Sequence, residues 1–143
     1  MASGYARGAL RQVAGSKILP AKTIGTAGEQ FFAYRALEEG LHVAQPLGDN
    51  LPYDLLVDSG QEIHRLQIKS TTTEEQGQSR KYGFALNHGK DSSCYHADTV
   101  DFFGLVVLPL HTIHSPSRIS GRAHESLRLS GEPGFGWIAG TLS

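Results

Sequence analysis

A carboxylate, a carboxamide and an ammonium recur at short spacing in residues 52–70, which read PYDLLVDSGQEIHRLQIKS. Two alternating runs, 53–58 and 62–69, flank a Ser-Gly pair, which is the pattern of an antiparallel hairpin. Successive side chains of a strand point to opposite faces. Leu66 and Ile68 therefore point one way and Arg65, Gln67 and Lys69 the other, while Leu55 and Val57 share a face opposite Asp54, Leu56 and Asp58. Asp54, Gln67 and Lys69 can gather at one end of a hairpin whose other face is aliphatic. Such a cluster suits a metal ion and a phosphate.

The elements that must position these groups follow in chain order. Residues 23–40 read as a helix, with Phe32, Ala33, Ala36 and Leu37 at helical spacing and Gly40 as the stop. Glu29 precedes Phe32, Ala33 and Ala36 by three, four and seven positions and so lies on the apolar face. A carboxylate there needs a partner, and a cation or Lys69 would serve. Thr26-Ala27-Gly28-Glu29 also matches a capping box, in which Glu29 only satisfies the helix N-terminus. Residues 41–44 read as a short strand ended by Pro46, ahead of the hairpin. After Lys69 come Ser70 and a run of threonines, whose hydroxyls could contact a substrate backbone or merely end a strand. Residues 74–81 read as a loop and 82–86 as a strand, with Arg80 and Lys81 beside it as candidate phosphate contacts. Residues 93–100 read as a short helix, and 101–110 as a buried central strand. The segment 111–143 shows no clear pattern.

The order Pro52-Tyr53-Asp54, hairpin, Gln67-Ile68-Lys69 resembles the core of the PD-(D/E)xK phosphodiesterase superfamily. Gln67 stands where most members carry Asp or Glu. In that respect the chain is similar to a branch of intron-encoded homing endonucleases with Gln before x-Lys, whose upstream helix opens with Gly-Glu, as Gly28-Glu29 does here. The resemblance spans roughly residues 23–110. It implies an α/β fold, a restriction-endonuclease-like αβββαβ core with a mixed central sheet flanked by helices. Tyr95 and Asp101 also fall in a stretch similar to these nucleases, in structural positions.

The chemistry of a phosphodiester assigns roles within that frame. The anionic diester repels hydroxide, so a cation must neutralise it and acidify the attacking water. Mg²⁺, with Mn²⁺ as a substitute, prefers oxygen ligands and keeps several waters, so one or two carboxylates suffice. Asp54 is then the principal metal ligand, Glu29 a second one directly or through water, and Gln67 a neutral one through its amide oxygen. The resemblance adds the Ile68 carbonyl. Lys69 would orient the nucleophilic water and stabilise transition-state charge. A Mg²⁺-dependent DNA endonuclease is the leading expectation, with 5′-phosphate products implied by the family alone. The alternative is a catalytically decayed DNA-binding or assembly module of the same fold. Cleavage of both strands calls for related sites, hence a homodimer or homotetramer.

Global properties agree. A chain of 143 residues, 39% hydrophobic, with net charge −1, suits one soluble domain, and nothing in the bulk charge points to nucleic acid. Acidic residues are absent from 1–22, which contains Arg7, Arg11, Lys17 and Lys22, so the reading is a basic N-terminal arm (1–22) before a nuclease-like domain (23–143). The single cysteine, Cys94, excludes an internal disulfide framework, and no signal-type or membrane-spanning run is present, so an intracellular (cytoplasmic) protein without a membrane is expected. His111-Thr112-Ile113-His114 lacks the Glu of a zinc-hydrolase helix, and Cys94 with His96 is too sparse for zinc.

Overall fold

Pro20 starts the first element, because its ring fixes φ and it has no N–H to leave unpaired. A computed structural model describes residues 19–72, 74–75, 81–88, 93–119 and 126–130, and in it helix α1 (Ala21–Glu38) begins directly after Pro20. It starts two residues earlier than the sequence pattern predicts. Thr26 is consequently well inside the helix, its hydroxyl donating to the Lys22 carbonyl at 3.0 Å, and the capping-box reading of Glu29 is overturned. At the other end Gly40 takes φ 82°, and the Gly40 and Leu41 amides close back onto Leu37 and Ala36. Gly28, Phe32 and Ala36, four residues apart, form the buried stripe. Leu37, expected on it, is exposed.

Five strands make the main sheet: β1 (His42–Ala44), β2 (Leu55–Asp58), β3 (Ile63–Thr71), β8 (Phe102–Val107) and β9 (Thr112–Arg118), in the order β1-β2-β3-β8-β9. Strands β1, β2 and β3 form an antiparallel meander, β3 and β8 run parallel, and β9 returns antiparallel to β8. The hairpin turn follows the Ser-Gly pair: the Ser59 amide donates to the Glu62 carbonyl at 3.0 Å, Gly60 adopts φ 83°, and its amide donates to the Asp58 carboxylate at 2.7 Å. Between β3 and β8 the chain forms β4 (Glu74–Glu75), β5 (Lys81–Ala85), β6 (Asn87–His88) and β7 (Ser93–Cys94). Strand β5 pairs with β4 and with β10 (Ser126–Ser130) in a second sheet, and β6 pairs with β7. The helix expected over 93–100 is replaced by β7 and a turn closed by amide donation from Thr99 and Val100 to the His96 carbonyl.

Both faces of the main sheet are covered, which explains why every residue of β8 is buried. On one face Phe32 and Ala36 of α1 pack on Leu55, Val57, Leu66, Ile68, Phe102 and Val106. On the other, Phe103, Leu105 and Val107 pack with Tyr82, Phe84, Leu86, Tyr95 and Val100. Each fully buried large side chain contributes about 1.5–3 kcal/mol.

Arg65 ties the return of the crossover to β3. Its backbone amide and side chain donate to the Asp101 carboxylate at 2.7, 3.1 and 2.8 Å, and its other nitrogen donates to the Asp98 carbonyl at 2.6 Å. These bonds hold the Asp101 carboxyl below its ordinary value of 3.8. A depressed folded-state pKa means that the bonds contribute stability above that value, and that the contribution is lost as pH falls through the lower folded value. Asp101→Asn should cost about 1–2 kcal/mol at neutral pH and reduce the acid sensitivity of folding below the ordinary carboxylate range, as read from urea midpoints against pH.

Candidate active site

Asp54 lies just before β2, and β3 holds it. Its amide donates to the Leu66 carbonyl at 2.8 Å, and its Oδ2 accepts from the Ile68 amide at 2.7 Å. The Leu55–Leu66 register places Asp54 opposite the start of the Gln67-Ile68-Lys69 segment. The two parts of the sequence pattern are thus joined by a direct hydrogen bond.

Lys69 is drawn inward from the same strand. Its ammonium donates to the Tyr95 phenol oxygen at 3.2 Å and lies 4.8 Å from the centre of that ring. Burial lowers the amine's pKa, and the Asp54 charge opposes that shift. The Tyr95 phenol is pushed up to about 12, first by burial and then by Asp54, so it remains a neutral hydroxyl. Glu29 reaches the cluster from α1. Burial raises its pKa, and the Asp54 charge raises it further. The Gln45 amide donates to the Glu29 carboxylate at 3.4 Å, while Gln30 donates to Gln45 at 3.2 Å. Asp54 therefore interacts electrostatically with an acid, a base and a phenol contributed by three separate segments.

Gln67 is buried on β3, on the face it shares with Lys69. Arg65, which also shares that face, is committed to Asp101 and the turn before it. Ser70 is not placed as expected: its Oγ is buried against α1 instead of presented to a nucleic acid. Strand alternation accounts for this, since Ser70 follows Leu66 and Ile68 on the helix side. Arg80 and the side chain of Lys81 lie outside the described residues. Neither Tyr95 contacting Lys69 nor Gln45 contacting Glu29 was expected from the sequence. The available signal for Tyr95 was general: a buried tyrosine needs a partner for its hydroxyl.

Among the described residues no three or more His, Cys, Asp or Glu side chains form a group able to hold a metal. The acidic donor set is leaner, the two carboxylates of Glu29 and Asp54. Glu29 and Asp54 repel one another, and a cation between them relieves that repulsion. Mg²⁺ needs no more, because it retains waters and is completed by substrate phosphate. The residues present fit such an ion.

Residues 19–132 match the family model for the PD-(D/E)XK endonuclease. The chain belongs to the PD-(D/E)XK endonuclease family. In a solved structure described as a bacterial homing endonuclease, I-Ssp6803I, a chain 23% identical to this family member superposes with a TM-score of 0.62, covering 80% of this chain and 78% of that one. The likeness is one of fold, and the architecture is restriction-endonuclease-like: a mixed five-stranded sheet with α1 on one face. No curated protein matches the chain. In this PD-(D/E)XK protein no helix among the described residues is long and apolar enough to cross a membrane.

The Gly-Glu pair of α1 has a packing basis. A Cβ on Gly28 would lie 1.6 Å from Ser70 Oγ and 2.8 Å from Ser70 Cβ, so the bare backbone lets α1 settle on β3 and brings Glu29 to the sheet. Gly28→Ala should destabilise the family member by about 1–3 kcal/mol in chemical denaturation, through overpacking that displaces α1. Ser70→Gly in the same chain should recover most of the loss, a coupling that a double-mutant cycle reads directly.

Proposed function

We propose that this PD-(D/E)XK protein is a Mg²⁺-dependent DNA endonuclease that leaves 5′-phosphate ends. The observation that carries the reading is the 2.7 Å hydrogen bond from the Ile68 amide to Asp54 Oδ2, which links the two halves of the motif beside Lys69. Mg²⁺, or Mn²⁺ in its place, would be held by Asp54 and Glu29, with the Gln67 amide oxygen and the Ile68 carbonyl. When bound it would neutralise the diester and acidify a water. Lys69 orients that water and carries compensating charge toward the phosphoryl oxygens as negative charge builds. Gln67 supplies no charge, so the empty protein holds the ion weakly and the substrate phosphate completes the site. A homodimer or homotetramer would bring two such sites to one duplex for double-strand cleavage, and the basic residues of 1–22, of which Lys22 stands in the first turn of α1, would add phosphate contacts without sequence readout.

The test is nicking and linearisation of supercoiled DNA by wild type and Asp54→Ala in Mg²⁺, in Mn²⁺ and in chelator. Metal-dependent cleavage by wild type alone supports the proposal. Retained DNA binding without cleavage under either metal would replace it with the decayed binding or assembly module, with neutral Gln67 as the reason.

A further inference from the structure

A confined polar group beside the proposed site is one the sequence pattern leaves outside the motif. Tyr95 is 4% exposed. Its ring meets Phe103 of β8 edge-to-face, with centroids 5.4 Å apart at 85°. The turn that follows it is pinned to β3 through Arg65, which donates to the carbonyls of Ala97 and Asp98. The ring therefore has a fixed place, set by the same strand that carries Lys69.

Lys69 needs such a support. A lysine stem has four rotatable carbons and a compact charge that takes any of several orientations. Here the ammonium meets the phenol oxygen at 3.2 Å and lies 4.8 Å from the ring centre, at the hydroxyl end of the ring, an arrangement that fixes direction as well as distance. We propose that Tyr95 is the positioning residue of Lys69, its oxygen and ring together aiming the ammonium at the phosphate beside Asp54. The inference deepens the nuclease reading and rests on it. In this role Tyr95 acts through Lys69.

The experiment compares wild type, Tyr95→Phe and Tyr95→Leu in the full chain, by cleavage kinetics per folded molecule and by ¹³C-edited spectra of ε-labelled lysine. Lys69 is one of only five lysines, and Lys69→Ala assigns its signal. The expected wild-type spectrum shows Lys69 ε-protons shifted upfield by the ring, a shift kept in Tyr95→Phe and lost in Tyr95→Leu. The expected kinetics are a fall in kcat of about tenfold for Tyr95→Phe and about a hundredfold for Tyr95→Leu, with KM for DNA unchanged, the pattern of a misaimed group. Absence of the upfield shift in wild type, or wild-type kcat in Tyr95→Leu, overturns the inference. So does a loss of activity that follows only the unfolded fraction. If wild type cleaves no DNA with Mg²⁺ or Mn²⁺, the nuclease reading itself has failed and the positioning role falls with it; the spectrum then still reports the Lys69–Tyr95 contact.

Discussion

Lys69→Met should lower the single-turnover cleavage rate by about 10³-fold, the loss expected when an acid–base or electrostatic stabiliser is removed from a phosphoryl-transfer site. Methionine keeps most of the stem's apolar volume, so packing along β3 survives while the charge disappears. The ammonium is desolvated, which lowers its pKa, and the structure offsets part of that with the Asp54 charge. Removing it should leave the urea midpoint near that of wild type. DNA affinity should change far less than rate, since one charge among many phosphate contacts contributes little to binding. Lys69→Arg should not restore the rate: a planar fork cannot reproduce a point charge held against one phenol oxygen. Rates and denaturation midpoints measured on the same preparations separate these outcomes.

Phe32→Ala should produce the largest loss of stability, about 3–5 kcal/mol. Phe32 is fully buried at the centre of the contact between α1 and the sheet. Its ring lies directly on Gly104 of β8, where an added Cβ would sit 2.6 Å from Phe32 Cε2 and 2.7 Å from Ile68 Cδ1. The fit is shaped from both sides, so the cavity left by alanine cannot close by a small shift of β8. Marginal domain stability of about 5–15 kcal/mol leaves little reserve against such a loss. Glu29 stands one turn before Phe32 on the same helix, so a loosened α1 also releases the second acid of the site. Urea denaturation should show the stability loss, and cleavage under fully folding conditions should show a rate deficit that Phe32→Leu largely restores.

The hairpin and its two motif halves were legible because alternation with period two is a local signal, and the Ser59-Gly60 turn fixed the register that brings Asp54 beside Ile68. The buried strand β8 was legible for a different local reason, its continuous apolar run, although the strand stops at Val107 and Leu108–Leu110 turn into a 3₁₀ helix. The helix start was read two residues late because the apolar spacing that marks the helix begins well after Pro20, the true boundary, and the Thr26–Glu29 cap spacing lies inside the helix. The second sheet left little trace, since β5 finds its partner in β10, far along the chain. Residues 93–100 were read as a helix because their turn depends on Arg65, a tertiary bond that local propensity does not encode. Ser70 was assigned by its proximity to Lys69 in sequence, yet one step along a strand reverses the face and hides its hydroxyl under Gly28. Tyr95 acquires its contact with Lys69 only when the crossover brings residues 26 positions apart together.

The most direct test of a cation between Glu29 and Asp54 is the line broadening of backbone amide signals by substoichiometric Mn²⁺, with and without duplex DNA. The expected result is selective loss of the Glu29, Asp54, Ile68 and Lys69 signals, strengthened by DNA and abolished by Asp54→Ala. Broadening centred on the exposed Glu38 at the α1 C-terminus, or unchanged by Asp54→Ala, would contradict a metal site at this position.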